Sequence, residues 1–332
     1  MKMFQKICLT IGAIALSANA LSEEITIGYQ SMFNPYKHVI NEKLLEKNLG
    51  VTIKWRNFSS GAKAMTAVAS GSLDITSAGS SPIAAGVSNG VNAELFWILE
   101  NIGDAEALVV RDDSGITKPS DLKGKRIAVP FVSTTHFHTM FALEQFGLST
   151  KDVKLLNMQP SAISAAWTRG DIDGAFIWDP VLGKIKQDGH VLISSKTLSS
   201  WGKPTFDGLV VNKKFAATHK DFMVEFVKIV AAVDKEYNDN KAAFTADNPI
   251  AKSISKVTGG DIASVPAVLS LYEFLSLEEQ ASCAWLGCGA KGGAAASLKA
   301  TSEFLLEQKK ISKLKDDYSV FVTPEYVEAA LK

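Results

Sequence analysis

The sequence predicts an α/β protein of two lobes. Each lobe is a mixed, mostly parallel sheet flanked by helices, and two crossing strands make a hinge between them. Three observations lead there. Short apolar runs alternate with helix-periodic segments through the first hundred residues, the pattern of βαβ units. The same alternation restarts at Arg126. Two stretches also echo each other: 69–82 (ASGSLDITSAGSSP) and 168–180 (TRGDIDGAFIWDP). Each reads as a helix end, a glycine, an aspartate, a buried strand and a polar turn whose proline suits the start of a helix.

In chain order, 23–30 (EEITIGYQ) alternates as a strand. Residues 35–49 carry helical periodicity up to Gly50, and 51–58 form a second strand. Ser59-Ser60-Gly61 opens a helix over 62–69 that Ser70-Gly71 closes. A strand over 73–78 runs through Gly79-Ser80-Ser81-Pro82 into a helix over 83–87, and 93–99 and 105–111 are further strands. The second cycle has strands over 126–130, 153–158, 172–178 and 190–194, with helices over 134–146, 162–169 and 181–187. An apolar run at Leu209-Val210-Val211 follows. Beyond Phe215 the chain is mostly helical, over 221–237, 241–244, 249–257, 262–275 and 294–308; a strand-like 317–322 and a terminal helix from Pro324 close it. Phe222, Phe226, Ile229 and Val233 have helix-core spacing. This order places 21–109 and 208–332 in lobe I and 110–207 in lobe II.

The 332 residues suffice for two sizeable cores, and 46% apolar with 21% charged residues is ordinary globular composition. Lys+Arg and Asp+Glu balance at 35 each, so neither nucleic acid nor an anionic membrane is an implied partner. Residues 1–20 read as a signal peptide: basic Lys2 and Lys6, an apolar stretch over 7–16, and Ala18-Asn19-Ala20 for cleavage. The apolar stretch is short for a membrane span. Cleavage removes Cys8 and both lysines, leaving 33 basic against 35 acidic side chains. In an exported chain, Cys283 and Cys288 are expected to form a small local disulfide. Zinc is not implied, because no second ligand pair accompanies them, and no other cofactor is implied either.

In open parallel sheets, ligands bind beyond the carboxyl ends of the strands. Here those ends are Gln30, 58–61, 79–81, 131–136 and 178–180, facing one another across a cleft. Within PFVSTTHFH (130–138), Ser133-Thr134-Thr135 stand where a strand gives way to a helix. The first N–H groups of a helix lack internal partners and carry partial positive charge, which makes an anion site without lysine or arginine. The same hydroxyls also suit plain helix capping. Which of the three caps and which binds is open from sequence.

One set of motifs carries a family resemblance: YQ (29–30), SGA (60–62), ASG (69–71), GSSP (79–82), EALVV (106–110), GKRIAVPFVSTTHF (124–137), QPSAISAAWTRGDIDGAFIW (159–178) and WGKPTFD (201–207). It resembles the aliphatic-sulfonate, nitrate and taurine substrate-binding family of ABC importers. The resemblance spans nearly all of the chain after residue 20 and is strongest over 58–211. It implies a type II periplasmic binding-protein fold, monomeric and periplasmic, that closes on taurine. The alternative ligands are other aliphatic sulfonates or small anions. The cargo would pass to an inner-membrane permease with its ATPase.

Taurine has a sulfonate and an ammonium one ethyl link apart, so its site needs donors at one end and carboxylates at the other. Under the resemblance, Ser80, Ser81, Ser133, Thr134 and Thr135 hold the sulfonate, and Gln30 adds an amide contact. Glu106 and Asp207, beside the crossing strands, take the ammonium; the bland alternative is a hinge salt bridge. Trp178 covers the ethyl group or ammonium, and His136 donates to the sulfonate or packs beneath it. Asp179 is a weaker candidate; Asp74 and Asp173, after helix-capping glycines, read as structural; Trp201 walls the cleft or packs in the core. An enzyme is not expected. Ser133 and His136, three apart at a helix start, do not align a base on a nucleophile, and G-x-S-x-G, HExxH, P-loop and CxxC motifs are missing.

Overall fold

The computed structural model describes residues 24–332; the expected signal peptide, 1–20, with Cys8, lies outside the described residues. Ten strands form: β1 (Glu24–Tyr29), β2 (Thr52–Asn57), β3 (Ile75–Gly79), β4 (Ala93–Asn101), β5 (Glu106–Arg111), β6 (Arg126–Val129), β7 (Lys154–Asn157), β8 (Gly174–Trp178), β9 (Gly189–Ser194) and β10 (Phe206–Asn212). They make two five-stranded sheets, ordered β2-β1-β3-β10-β4 and β7-β6-β8-β5-β9. In the first, β1 runs parallel to β2 and β3, while β10 is antiparallel to β3 and β4. In the second, β6 runs parallel to β7 and β8, while β5 is antiparallel to β8 and β9. The two sheets therefore share one plan. Each receives its antiparallel strand from the chain segment that arrives from the other half.

The echo between 69–82 and 168–180 has a structural basis. Asp74 Oδ2 accepts from the Thr26 N–H at 2.8 Å, at the start of β1, and Asp173 Oδ2 accepts from the Arg126 N–H at 2.7 Å, at the start of β6. Each aspartate thus ties a helix end to the first of the parallel strands of its sheet, the structural role read from sequence. β3 (ITSAG) is buried throughout and β8 nearly so, as befits central strands covered on both faces. The helix Lys220–Asn240 buries Met223, Phe226, Val227, Val230, Val233 and Tyr237, a stripe at three- and four-residue spacing, against Phe96 and the rest of the first core. The second sheet has a core on each face: Val110, Ile127, Val129 and Phe176 on one, Val109, Trp167 and Ile177 on the other.

Local departures from the sequence reading have identifiable causes. The helix expected over 35–49 is two, Tyr36–Asn41 and Leu44–Leu49, broken where Lys43 takes a left-handed backbone (φ 53°). Of 262–275 only Val265–Leu269 is α-helical, because the chain leaves the helix for Glu273 N to bond Asn101 O. Residues 317–322 do not form a strand. The Gln280 side chain fills the edge of β4, accepting from Ile98 N at 2.9 Å and donating to Ile98 O at 2.6 Å, and residues 317–322 keep a single bridge to that strand, Val322 to Leu95. The helix Ser195–Ser200 was not foreseen. Cys283 and Cys288 are joined by a disulfide with Cα atoms 5.0 Å apart. Its loop carries Trp285, which packs edge-on against Phe206 at the start of β10. No helix among the described residues is long and apolar enough to cross a membrane.

Candidate functional site

The topology decides which residues meet. Because β10 is antiparallel to β3, its first residues lie beside the last of β3, and Asp207 stands opposite Gly79. Because β5 is antiparallel to β8, Glu106 stands opposite Trp178. Each crossing strand thus delivers a carboxylate to the carboxyl ends of its parallel neighbours. These ends converge on one small cavity. Gln30, Met32, Gly61, Gly79, Pro82 and Asp207 line it from the first sheet's side, and Glu106, Ser133, Thr134 and Trp178 from the second's. None of these lining residues is basic. Gly79 is where the two sides touch: a Cβ there would lie 2.8 Å from Thr134 Cγ2 and 3.1 Å from Asp207 Oδ1. At the rim, Ser59 Oγ donates to Gln159 Oε1 at 3.0 Å, linking the tips of β2 and β7 across the opening.

Six residues singled out from sequence therefore line the cavity: Gln30, Glu106, Ser133, Thr134, Trp178 and Asp207. Gln30 is partly committed, since its Nε2 donates to Ser77 O at 3.3 Å. Trp178 is half-buried at the end of β8. The Ser80 and Ser81 side chains are wholly buried and do not line the cavity; their neighbours Gly79 and Pro82 do. Ser80 Oγ is the acceptor for Phe206 N at 3.5 Å, whereas Ser81 Oγ has no hydrogen-bond partner. Gly79, the N-cap of the helix Ser80–Ser88, gives that helix no side-chain cap.

The hydroxyl cluster at the start of the helix Thr134–Gln145 is resolved by counting protons. Ser133 is the N-cap: its Oγ accepts from His136 N at 3.1 Å and donates to Pro130 O at 2.5 Å. Its remaining lone pair takes the Thr135 hydroxyl at 2.7 Å. Thr134 Oγ1 donates to Glu106 Oε1 at 2.6 Å. All three hydroxyl protons are thus engaged within the protein. The Thr134 and Thr135 N–H groups, first in the helix, remain as donors without an intrahelical partner.

His136 departs from the expectation. Two residues past Thr134, it points about 200° round the helix axis. Its ring stacks on Phe131 at 4.5 Å and faces a separate groove that also contains Met140, Lys154 and Lys310. Burial, reinforced by Lys310, depresses its pKa to about 4. Asp179 is buried, accepts from Gly183 N at 3.0 Å and lies off the cavity, and Trp201 is 46% exposed, neither a cleft wall nor a core residue.

Both cleft carboxyls are titrated upward by burial. Glu106 rises to about 8, pushed by desolvation and then by the nearby Asp207 charge, against the hydroxyls of Thr134 and Ser195. Ser195 Oγ donates to Glu106 Oε2 at 3.4 Å. Asp207 rises only to about 6, because a hydrogen bond from Glu100 and the charge of Lys37 work against desolvation. Lys37, Asn34 and Glu100 had not been singled out from sequence. The available signal was Glu100 itself, an acid near the end of a long, largely buried apolar strand. Among the described residues no cluster of three or more His, Cys, Asp or Glu could hold a metal ion. The site is a small, acid-lined pocket with two helix starts at its wall. It can take a compact zwitterion.

Residues 23–252, over two thirds of the chain, match the family model described as the substrate binding domain of ABC-type glycine betaine transport systems. The chain is 36% identical over 315 residues to the taurine-binding periplasmic protein of Escherichia coli K12, covering 95% of each. Its fold is similar to that of the periplasmic aliphatic sulphonate binding protein SsuA of Escherichia coli (TM-score 0.72, 21% identity, 92% of this chain and 99% of that one). It is similar also to the alkanesulfonate-binding protein SsuA of Xanthomonas axonopodis pv. citri bound to MOPS (TM-score 0.71, 23% identity, 87% and 94%). The chain belongs to the substrate-binding protein family of ABC-type transport systems, a family of receptors and not of enzymes.

Proposed function

We propose that the chain is the periplasmic receptor of an ABC importer and captures taurine between two lobes, each built on one of the two sheets. The observation that carries this reading is the convergence of two buried carboxyls, Glu106 and Asp207, on a small cavity whose lining holds no basic side chain. Such a pair asks for a cation that donates hydrogen bonds, which the ammonium of taurine is. The sulfonate is a weak base and needs donors more than counter-charge. The Thr134 and Thr135 N–H groups and the start of the helix Ser80–Ser88 supply them. A quaternary ammonium fits less well, because it donates no hydrogen bond and prefers an aromatic cage, whereas the lining has one aromatic, Trp178. The 36% identity to a taurine-binding protein supports the same ligand.

The second reading is a receptor for other aliphatic sulfonates. An alkanesulfonate brings no cation, and both carboxyls would face its hydrocarbon at a desolvation cost. In the proposed role the monomer closes on its ligand and docks on a membrane permease driven by an ATPase, with no catalytic step of its own. Export follows from residues 1–20, and mass spectrometry of the secreted protein should find Leu21 at its N-terminus. Calorimetry with taurine and ethanesulfonate tests the ligand. Taurine should bind at micromolar affinity or tighter and ethanesulfonate about 100-fold more weakly, the scale of an unpaired buried charge. Equal affinities overturn the ammonium assignment; binding of neither overturns the sulfonate class.

A further inference from the structure

Behind Asp207, on the side away from the cavity, runs a line of buried polar groups. Lys37, on the helix Tyr36–Asn41, has no solvent-exposed surface, and its Nζ donates to Asn34 Oδ1 at 2.9 Å. Asn34, also wholly buried, directs Nδ2 at both carboxyl oxygens of Glu100, each at 3.1 Å. Glu100, in β4, is fully buried and stands opposite Asp207 in β10. Lys37, Asn34 and Glu100 do not line the cavity; Asp207, at the end of the line, does.

A wholly buried lysine is rare and costly unless its charge is answered. The charges acting on Glu100 are Asp207, Lys37 and Asp234, the last from the helix Lys220–Asn240. Tyr272 also lies within reach of Glu100 and Asp207, as well as of Asp179 and Glu106. In that set Lys37 is the single cation. One cation cannot offset two adjacent carboxylates, so Glu100 and Asp207, opposite each other in the sheet, hold one proton between them.

We infer that Lys37, acting through Asn34 and Glu100, is a specificity-determining positioning residue. Its charge holds the Glu100–Asp207 pair at one net negative charge, which an arriving ammonium draws onto Asp207 at the cleft, and so selects a ligand bearing an ammonium over one of like shape without it. The inference rests on the taurine reading only in that the ammonium meets Asp207. Without Lys37, both carboxyls keep their protons at neutral pH, and the cleft meets the ammonium with a neutral Asp207. Simple packing by the lysine stem would lack this selectivity.

Lys37→Met retains the unbranched stem and drops the charge. At pH 7 it should weaken taurine about 30-fold and leave ethanesulfonate within about threefold, the ratio expected for one charge lost from a buried pair. The taurine deficit should shrink from pH 7 to pH 9, as Asp207 ionises at its raised pKa; a packing defect would not depend on pH. Glu100→Gln, isosteric with the protonated acid, should leave taurine within about threefold at pH 7. Abolished selectivity in that variant overturns the inference, since Asp207 answered by Lys37 alone should stay charged. A ligand-free arm reads the same charge. A carboxyl whose folded pKa is raised loses stability as pH rises through that value, so between pH 6 and 7.5 the thermal midpoint of Lys37→Met should fall more steeply than that of the wild type. An unchanged slope, or equal losses for both ligands, overturns the inference. Wild-type protein that binds no taurine overturns the ligand reading instead, and the selectivity with it.

Discussion

Glu106 and Asp207 hold corresponding places in the two sheets and are electrostatically unlike. Each stands at the beginning of the antiparallel strand that its half of the fold receives from the other, and each is buried at the same cavity. Asp207 has a cation behind it, Lys37, through Asn34 and Glu100. Glu106 has only the hydroxyls of Thr134 and Ser195. Asp207 accordingly titrates near 6 and Glu106 near 8. At pH 7 the empty site holds one charged carboxylate and one carboxylic acid. A duplicated plan therefore yields a standing anion on one side and a carboxylic acid on the other.

The strongest test of this asymmetry is Asp207→Asn. It removes the standing anion and should weaken taurine by about 3 kcal/mol, over 100-fold, with ethanesulfonate within a few-fold. Calorimetry on both ligands reads the split, and a uniform loss would assign Asp207 to the fold or the hinge. Glu106→Gln should cost less, about tenfold at pH 7, because Glu106 must first give up a proton held to about pH 8. That proton has a second signature. Wild-type affinity for taurine should rise with pH from 6.5 to 8, by up to about tenfold per unit, until the free acid is ionised. Titrations in buffers of different ionisation heat should show proton release on binding. Glu106→Gln should abolish the release and flatten the profile; a release that survives would place the titrating group elsewhere.

Stability without ligand should carry the same mark at smaller size. Glu106 is raised from 4.5 to about 8 in the folded protein, so the native state binds more protons than the unfolded chain across that window. Its contribution is present at low pH and is lost as pH rises, at about 1.4 kcal/mol per unit. His136 and His138, depressed to about 4 by burial, act oppositely, but only between about 4 and 6.5. Lys37, lowered to about 8, matters only above that value. From pH 6.5 to 8 the thermal midpoint should therefore fall by a few degrees, and Glu106→Gln should reduce the fall. Differential scanning calorimetry at closely spaced pH values reads both slopes.

Much of the architecture was legible in the residues because period and punctuation carry it. The buried runs of β3 and β8, each led by an aspartate after a glycine, announce a repeated unit whose Asp74 and Asp173 make equivalent bonds. Strand ends and crossing strands likewise point to Gln30, Glu106, Trp178 and Asp207. Lys37 and Glu100 were not legible, because a lysine in a short helix reads as solvated and 63 positions separate it from its acid. Their link exists only through Asn34 and the register of β4 against β10. His136 was misplaced for a simpler reason. Adjacency to a cavity-lining residue along a helix is not adjacency in space, since two positions span more than half a turn.

The same geometry separates Ser133 from its neighbours and sets the smallest of the expected effects. Ser133 lines the cavity, yet its hydroxyl is saturated by Pro130, His136 and Thr135. Ser133→Ala removes an N-cap and should cost about 1 kcal/mol in chemical denaturation. Taurine affinity should stay within about threefold, since the N–H groups of Thr134 and Thr135 are backbone and survive the substitution. A large loss of affinity with unchanged stability would reverse the assignment. It would make Ser133 a ligand donor and leave the helix start capped by another group.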